Sequence, residues 1–248
     1  MKIEVVSHCW LYWRCLSLQL SSFFSDPPEE VDLSVTVFYS EEDEKTVARL
    51  ADIAGSASLS SANVELNLIP LETQYLMRRA IGRNIAAKQT SADWVWFIDC
   101  DYLVTGKAMD RLGYLLSEKF SESGMVFPRY AKATSQPVGD EIIFDVPEEW
   151  DGWHLVDKSK YDVTKGYGAA IGGVQIVDAK ICHEQGYLAD HPKWHRPADT
   201  WQRTYEDPHF RKRCVGHRGQ VIKDAQFCDG VLRTRHTRRG RFDVGLEM

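Results

Sequence analysis

The chain has 248 residues, 44% of them hydrophobic and 27% charged, with a net charge of −6. That length supports one large core, and the composition, free of low-complexity runs, excludes a disordered or fibrous chain. No stretch approaches the ~18 apolar residues of a membrane span, and the N-terminus lacks the basic and apolar regions of a secretory signal. The charge is unevenly placed. Residues 209–241 hold ten Lys or Arg and two acids, so this segment is +8 and the remainder −14. An acidic body with a basic late segment suits either an anionic ligand near that segment or a solvated basic tail. Six cysteines, Cys9, Cys15, Cys100, Cys182, Cys214 and Cys228, are dispersed without a Cys-x-x-Cys pair. That spacing predicts reduced thiols in a cytoplasmic protein.

In chain order, Lys2 to Ser7 reads as a strand, and Trp10 to Phe24, with Arg14, Gln19 and several serines, as an amphipathic helix packing on a sheet. Asp26-Pro-Pro ends that helix. Val31 to Tyr39 alternates and predicts a second strand. Ser40 reads as the cap of a helix running to about Ile53, and Gly55 to Ala62 as a loop. Val64 to Ile69 is a third strand, and Thr73 to Gln89 a long helix with Arg79 and Arg83 four apart on one face. The fourth strand, Trp94 to Ile98, is apolar throughout, as a strand buried on both faces should be. This alternation predicts a parallel sheet flanked by helices.

Asp99 and Asp101 follow the fourth strand one residue apart. Alternation would turn both carboxylates the same way, where like charges repel and a hard divalent cation relieves the cost. Ligands of open α/β sheets bind beyond the carboxyl ends of the strands.

Beyond Val104, Ala108 to Phe120 predicts a helix and Gly124 to Arg129 a strand. Asp140 to Asp162 is acidic and aromatic, a composition that suits either a sugar-binding wall or a loop packed by its tryptophans. Glycines in Lys165 to Val177 mark tight turns or close backbone approach. Glu206-Asp207-Pro208 predicts a helix start, and Val231 begins a short strand running into a basic tail with His236. His191 and His195 have the spacing of a zinc pair, but Pro192 between them opposes the helix such a pair needs.

Taken together, the chain resembles the GT-A glycosyltransferases, most closely the family 2 type. The likeness rests on the early β-α alternation and on Arg78-Arg79-Ala-Ile-Gly-Arg-Asn-Ile-Ala-Ala leading into Trp-Val-Trp-Phe-Ile-Asp-Cys-Asp. It rests also on the later Gly-Gly segment followed by Tyr-Glu-Asp-Pro-His-Phe-Arg-Lys-Arg, and on the late His236. The resemblance implies a single α/β domain of GT-A type, Rossmann-like, with a mostly parallel central sheet and helices on both faces. Residues 1–104 would form the nucleotide-sugar-binding half, and 105–248 the acceptor-binding half.

The resemblance also implies roles. Asp99, Asp101 and His236 would hold Mn²⁺ or Mg²⁺ against the diphosphate of a UDP- or GDP-sugar, with Asp101 the more direct ligand. Arg83 would approach the donor, and Arg235 in the basic strand end would steady the leaving nucleoside diphosphate. Asp207 would be the base that deprotonates the acceptor hydroxyl, with Glu206 holding the acceptor, which would be a glycan, a lipid-linked sugar or a protein. Family members often carry Asp-Asp-Gly-Ser after the second strand. Here Tyr39-Ser-Glu-Glu-Asp43 stands there, so Glu41 or Asp43 would meet the nucleotide. A nucleotidyltransferase shares the sheet and the acid pair, but the loop Ser7-His-Cys-Trp is not the Gly-rich basic loop of that class. A non-catalytic nucleic-acid binder would use the basic C-terminus, against which the −14 of the remainder weighs.

Overall fold

The computed structural model describes residues 1–56, 63–200, 206–216 and 218–236. Most of the predicted loop after Gly55 and the tail beyond His236 lie outside the described residues.

A seven-stranded sheet forms the centre. β1 (Lys2–His8) pairs in parallel with β2 (Asp32–Tyr39) and with β4 (Trp94–Phe97), and β2 pairs with β3 (Val64–Pro70). Beyond β4 come β9 (Gln175–Asp178), β6 (Met125–Pro128) and β10 (Gln220–Ile222). β9 is antiparallel to both its neighbours, while β10 and β6 are parallel. The sheet is therefore mostly parallel, with one reversed strand beside β4, the strand that runs into the acid pair. A second sheet joins β5 (Tyr102–Val104), β11 (Val231–Arg233), β7 (Tyr130–Ala133) and β8 (Val163–Gly166) in that order.

All four residues of β4 and residues 3–8 of β1 are buried. Successive side chains point to opposite faces, so both faces of the central sheet are covered. Helices supply the cover: Leu16 and Leu20 of α1 (Trp13–Phe24), Leu50 of α2 (Glu44–Ala54), Ala87 of α4 (Arg79–Gln89) and Leu112 of α5 (Gly106–Glu118) share one apolar cluster with Val5, Val35 and Trp96.

The structure departs from the sequence reading at three helices. α1 is buried on every side rather than amphipathic. Its polar residues are bonded inward: Ser7 donates to Gln19 Oε1 at 2.8 Å, and Arg14 Nε donates to the Val146 carbonyl at 3.1 Å. The cap of α2 is Asp43, which accepts from the Thr46 amide, and not Ser40. The single long helix expected over 73–89 is two, α3 (Thr73–Leu76) and α4, with the non-helical backbone of Arg78 between them.

The second half adds α6 (Gln136–Phe144), α7 (Ala179–Gln185), α8 (Glu206–Val215) and α9 (Ala225–Asp229). All six cysteines are free thiols, five of them buried. Among the described residues no helix is long and apolar enough to cross a membrane.

Candidate active site

β4 ends at Phe97, so Asp99 and Asp101 lie in a turn rather than on a strand. The turn closes with the Tyr102 amide donating to the Asp99 carbonyl at 3.1 Å. The Gln19 amide of α1 fastens it from below, donating to the carbonyls of Asp99 at 3.0 Å and Tyr102 at 2.8 Å. A glutamine buried within α1 thus ties the acid pair to that helix.

The turn directs the two carboxylates to different cations. Asp99 Oδ1 is 2.6 Å from Arg79 Nη1 and 3.6 Å from Arg83 Nη2. Asp101 Oδ2 accepts from Arg233 Nε on β11 at 2.9 Å, and its main-chain carbonyl accepts from the Thr234 amide at 2.8 Å. The Arg233 guanidinium also lies over the Tyr102 ring, 5.0 Å from its centroid. Burial opposes the charge on Arg233, and Asp101, Tyr102 and Tyr167 together more than offset it, so the guanidinium is held charged. Asp101 shows the reverse balance. Burial raises its pKa, Arg233 lowers it and Asp99 raises it, leaving it above the ordinary carboxylate value.

Two features fit a hard divalent cation here. Asp101 Oδ1 is buried and has no hydrogen-bond partner. The His236 ring acts on the Asp101 carboxyl electrostatically, and stands edge-on to Tyr12 at 5.4 Å. Among the described residues no three acidic, His or Cys side chains converge as a closed metal shell. An Mg²⁺-type ion commonly takes one or two carboxylates and completes its shell with water and substrate phosphate, so the residues present fit such an ion.

Across the turn stands the head of α8. Asp207 Oδ1 accepts from Arg83 Nη1 at 2.6 Å and from the Tyr187 hydroxyl at 2.8 Å, while Oδ2 lies 3.8 Å from Arg79 Nη2. Glu206 is fully buried, its Oε1 3.2 Å from Arg79 Nη2. Arg79 therefore links Asp99, Glu206 and Asp207. Burial works against its charge, and Asp99 and Asp207 offset this, leaving its pKa raised.

The sequence-predicted residues fall into three groups. Asp101 lies against Arg233 with the His236 ring near enough to act on it, Asp99 turns to Arg79 and Arg83, and Asp207 meets Asp99 through Arg79. Arg83 and Glu206 form the floor beneath: Arg83 has no exposed side-chain surface and braces Asp207 and the Gly172 carbonyl instead of facing a donor. Asp43 is 2% exposed and fully used, capping α2 and accepting from the Leu11 amide at 2.6 Å, which joins the loops after β1 and β2. Glu41 is exposed on the second of these loops. The main chain of Arg235 is clasped by Thr134, whose hydroxyl accepts from the Arg235 amide at 2.9 Å.

His191 and His195 flank a single turn, Pro192–Trp194, and His195 Nε2 lies 3.1 Å from the Tyr187 carbonyl, so the pair serves packing. Sequence reasoning missed Arg233, Tyr187 and Gln19. Gln19 carried a signal, a strong hydrogen-bonding group among leucines and phenylalanines. Arg233 and Tyr187 carried none, because their partners are distant in sequence.

Solved structures share this fold. S. aureus TarS residues 1–349, in complex with UDP-GlcNAc, aligns with a TM-score of 0.59 at 14% identity over 99% of this chain and 62% of the other. The mannosyltransferase PcManGT from Pyrobaculum calidifontis, in complex with GDP-Man and Mn²⁺, aligns with a TM-score of 0.56 at 16% identity over 96% and 58%. The chain thus spans about three fifths of the length of these neighbours. No protein-family model and no curated protein matches it. The likeness establishes a GT-A type fold.

Proposed function

We propose that this GT-A chain is a glycosyltransferase that moves a sugar from a nucleoside-diphosphate sugar to an acceptor hydroxyl, with a divalent metal and with inversion. The observation that carries the reading is the juxtaposition of Asp99 and Asp207, joined by Arg79 at the carboxyl end of the central sheet. The neighbours bound to UDP-GlcNAc and to GDP-Man with Mn²⁺ support the same class of donor.

Asp101 and Asp99, with His236, would hold the metal, which when bound supplies positive charge to the diphosphate. Asp207 Oδ2 takes the proton of the acceptor hydroxyl. The acceptor oxygen then bonds to the anomeric carbon as the bond from that carbon to the phosphate oxygen breaks, and the nucleoside diphosphate leaves with its electron pair. Attack from the side opposite the leaving group inverts the centre. Arg79, charged and 13% exposed, sits between the base and the acid pair, where it steadies both carboxylates before substrate arrives. Glu206 and Arg83 stay in the floor and hold that arrangement.

Thermal melting with UDP, GDP, CDP and dTDP, each with and without Mn²⁺, tests the reading. A stabilisation of ~2.7 kcal/mol is expected at a hundredfold excess over the dissociation constant. A shift for one nucleotide that requires the metal supports the proposal and names the base. The absence of a shift with all four overturns it.

A further inference from the structure

We propose that Tyr187 is a positioning residue for Asp207, fixing which carboxylate oxygen faces the acceptor. The inference rests on the reading of Asp207 as the base and extends it to the choice of Oδ2.

Oδ1 is consumed. It accepts from Arg83 Nη1 at 2.6 Å and from the Tyr187 hydroxyl at 2.8 Å. A carboxylate oxygen offers about two lone-pair directions, so two donors leave no place for a third. The tyrosine hydroxyl also accepts from Arg83 Nη1 at 2.9 Å. Its single proton goes to the nearer acceptor, Asp207 Oδ1, rather than to Gln175 Oε1 at 3.3 Å. Burial, with the charge of Asp207 adding to it against that of Arg83, pushes the Tyr187 phenol well above its ordinary value, so it remains a donor.

The hydroxyl is held rigidly. The Tyr187 ring is fully buried, 4.0 Å from the Phe210 centroid and edge-on to Phe97 at 5.0 Å. Its amide donates to Asn84 Oδ1 on α4 at 3.0 Å. Asp207 is fixed from its main chain too, since Gln175 Nε2 donates to its carbonyl at 3.2 Å.

The other oxygen has room reserved for it. A Cβ on Gly172 would lie 2.7 Å from Oδ2, so only glycine leaves the carboxylate in this orientation. Tyr187 and Arg83 on one side and the bare Gly172 backbone on the other define a single rotamer, with Oδ2 turned away from the two donors that hold Oδ1 and 3.8 Å from Arg79 Nη2.

The test uses the full chain labelled with carbon-13 at aspartate carboxyls, as wild type, Tyr187→Phe, Gly172→Ala and Asp207→Asn. Loss of a signal in Asp207→Asn assigns Asp207. The groups that face it are Arg79, Arg83, Tyr187 and Glu206, and only Tyr187 changes in the phenylalanine variant. Tyr187→Phe strips one of the two donors from Oδ1, so the Asp207 carboxyl signal should move away from its wild-type position. Phenylalanine fills the same space between Phe97 and Phe210, and the variant should stay folded.

Nucleoside diphosphate release from UDP-GlcNAc and from GDP-Man, with Mn²⁺, gives the second readout. Tyr187→Phe and Gly172→Ala should lower kcat with the donor KM unchanged. An Asp207 carboxyl signal at the same position in wild type and Tyr187→Phe overturns the proposal, whether or not either donor is used. Release retained in Asp207→Asn sinks the base assignment separately and leaves the carboxyl signal to judge the positioning.

Discussion

Arg83 and Asp207 stand 124 residues apart in the chain and 2.6 Å apart in space. The arginine is fully buried and the aspartate almost so, with 14% of its side chain exposed. A buried charge needs a partner, and here each supplies the other's. The pair anchors the head of α8 to α4, and so fixes the distance between the candidate base and the acid turn.

Replacing Asp207 by asparagine keeps the shape and removes the base. Transfer should fall by about 10²–10⁴, the usual worth of a positioned proton acceptor. Nucleotide binding, followed by thermal melting with Mn²⁺, should be intact. Full transfer activity in this variant rules out Asp207 as the base.

Asp101→Ala should abolish the metal-dependent part of nucleotide stabilisation. The wild-type protein carries a pH signature of the same residue. A metal ligand must be deprotonated. Burial raises the Asp101 pKa, Arg233 lowers it and Asp99 raises it, for a net rise. The Mn²⁺-dependent melting shift should therefore weaken on acidification at a pH above 3.8, where an ordinary aspartate is still ionised. A shift that stays constant down to that pH counts against Asp101 as a ligand.

Gly139→Ala probes the approach to His236 from behind. A Cβ there would lie 1.6 Å from the Arg235 carbonyl oxygen, and backbone cannot swing aside as a side-chain tip does. Overpacking of this kind costs about 1–3 kcal/mol. The variant should melt lower, and its Mn²⁺-dependent nucleotide shift should shrink as the segment bearing His236 is displaced.

Asp224 offers a control away from the site. It caps α9, accepting from the Phe227 amide at 3.0 Å, and pairs with Arg111 at 2.7 Å. The Arg111 hydrogen bond leads the causes that lower its pKa below 3.8. A lowered folded value means the stabilisation is present above the unfolded value and is lost as pH falls through the folded one. Asp224→Asn keeps a good cap and loses the charge. Wild type should melt above the variant at neutral pH, and the gap should close below pH 3.8.

Local signals made much of the fold legible. Runs such as Val31 to Tyr39 and Trp94 to Ile98 read as strands because their apolar spacing reflects burial directly. The acid pair and the Glu206-Asp207 helix start were legible because each is a local motif. The break between α3 and α4 was not, since Met77 and Arg78 are neither glycine nor proline. It accompanies a tertiary contact, Arg78 Nε donating to the Arg196 carbonyl at 3.1 Å. Asp43 displaced Ser40 as the cap because its carboxylate also takes the Leu11 amide, from a loop 32 residues earlier. Arg83 pointed to a donor phosphate on motif grounds, whereas the fold supplies it with carboxylates first.

The bond between Arg233 and Asp101 sets a timetable for synthesis. β1 to β4 can pair with one another as soon as they emerge, since those mutual pairings lie within the first hundred residues, and only the far edge of β4 waits for β9. Asp101 then waits 132 residues for its arginine, roughly 7–26 s at ribosomal speeds of ~5–20 residues per second. Through that interval the nascent chain carries an acid pair whose second member still lacks its guanidinium. β11 therefore does more than join the small sheet: its arrival gives Asp101 its cation, and a chain stalled before residue 233 would hold the first strands paired with that carboxylate still waiting.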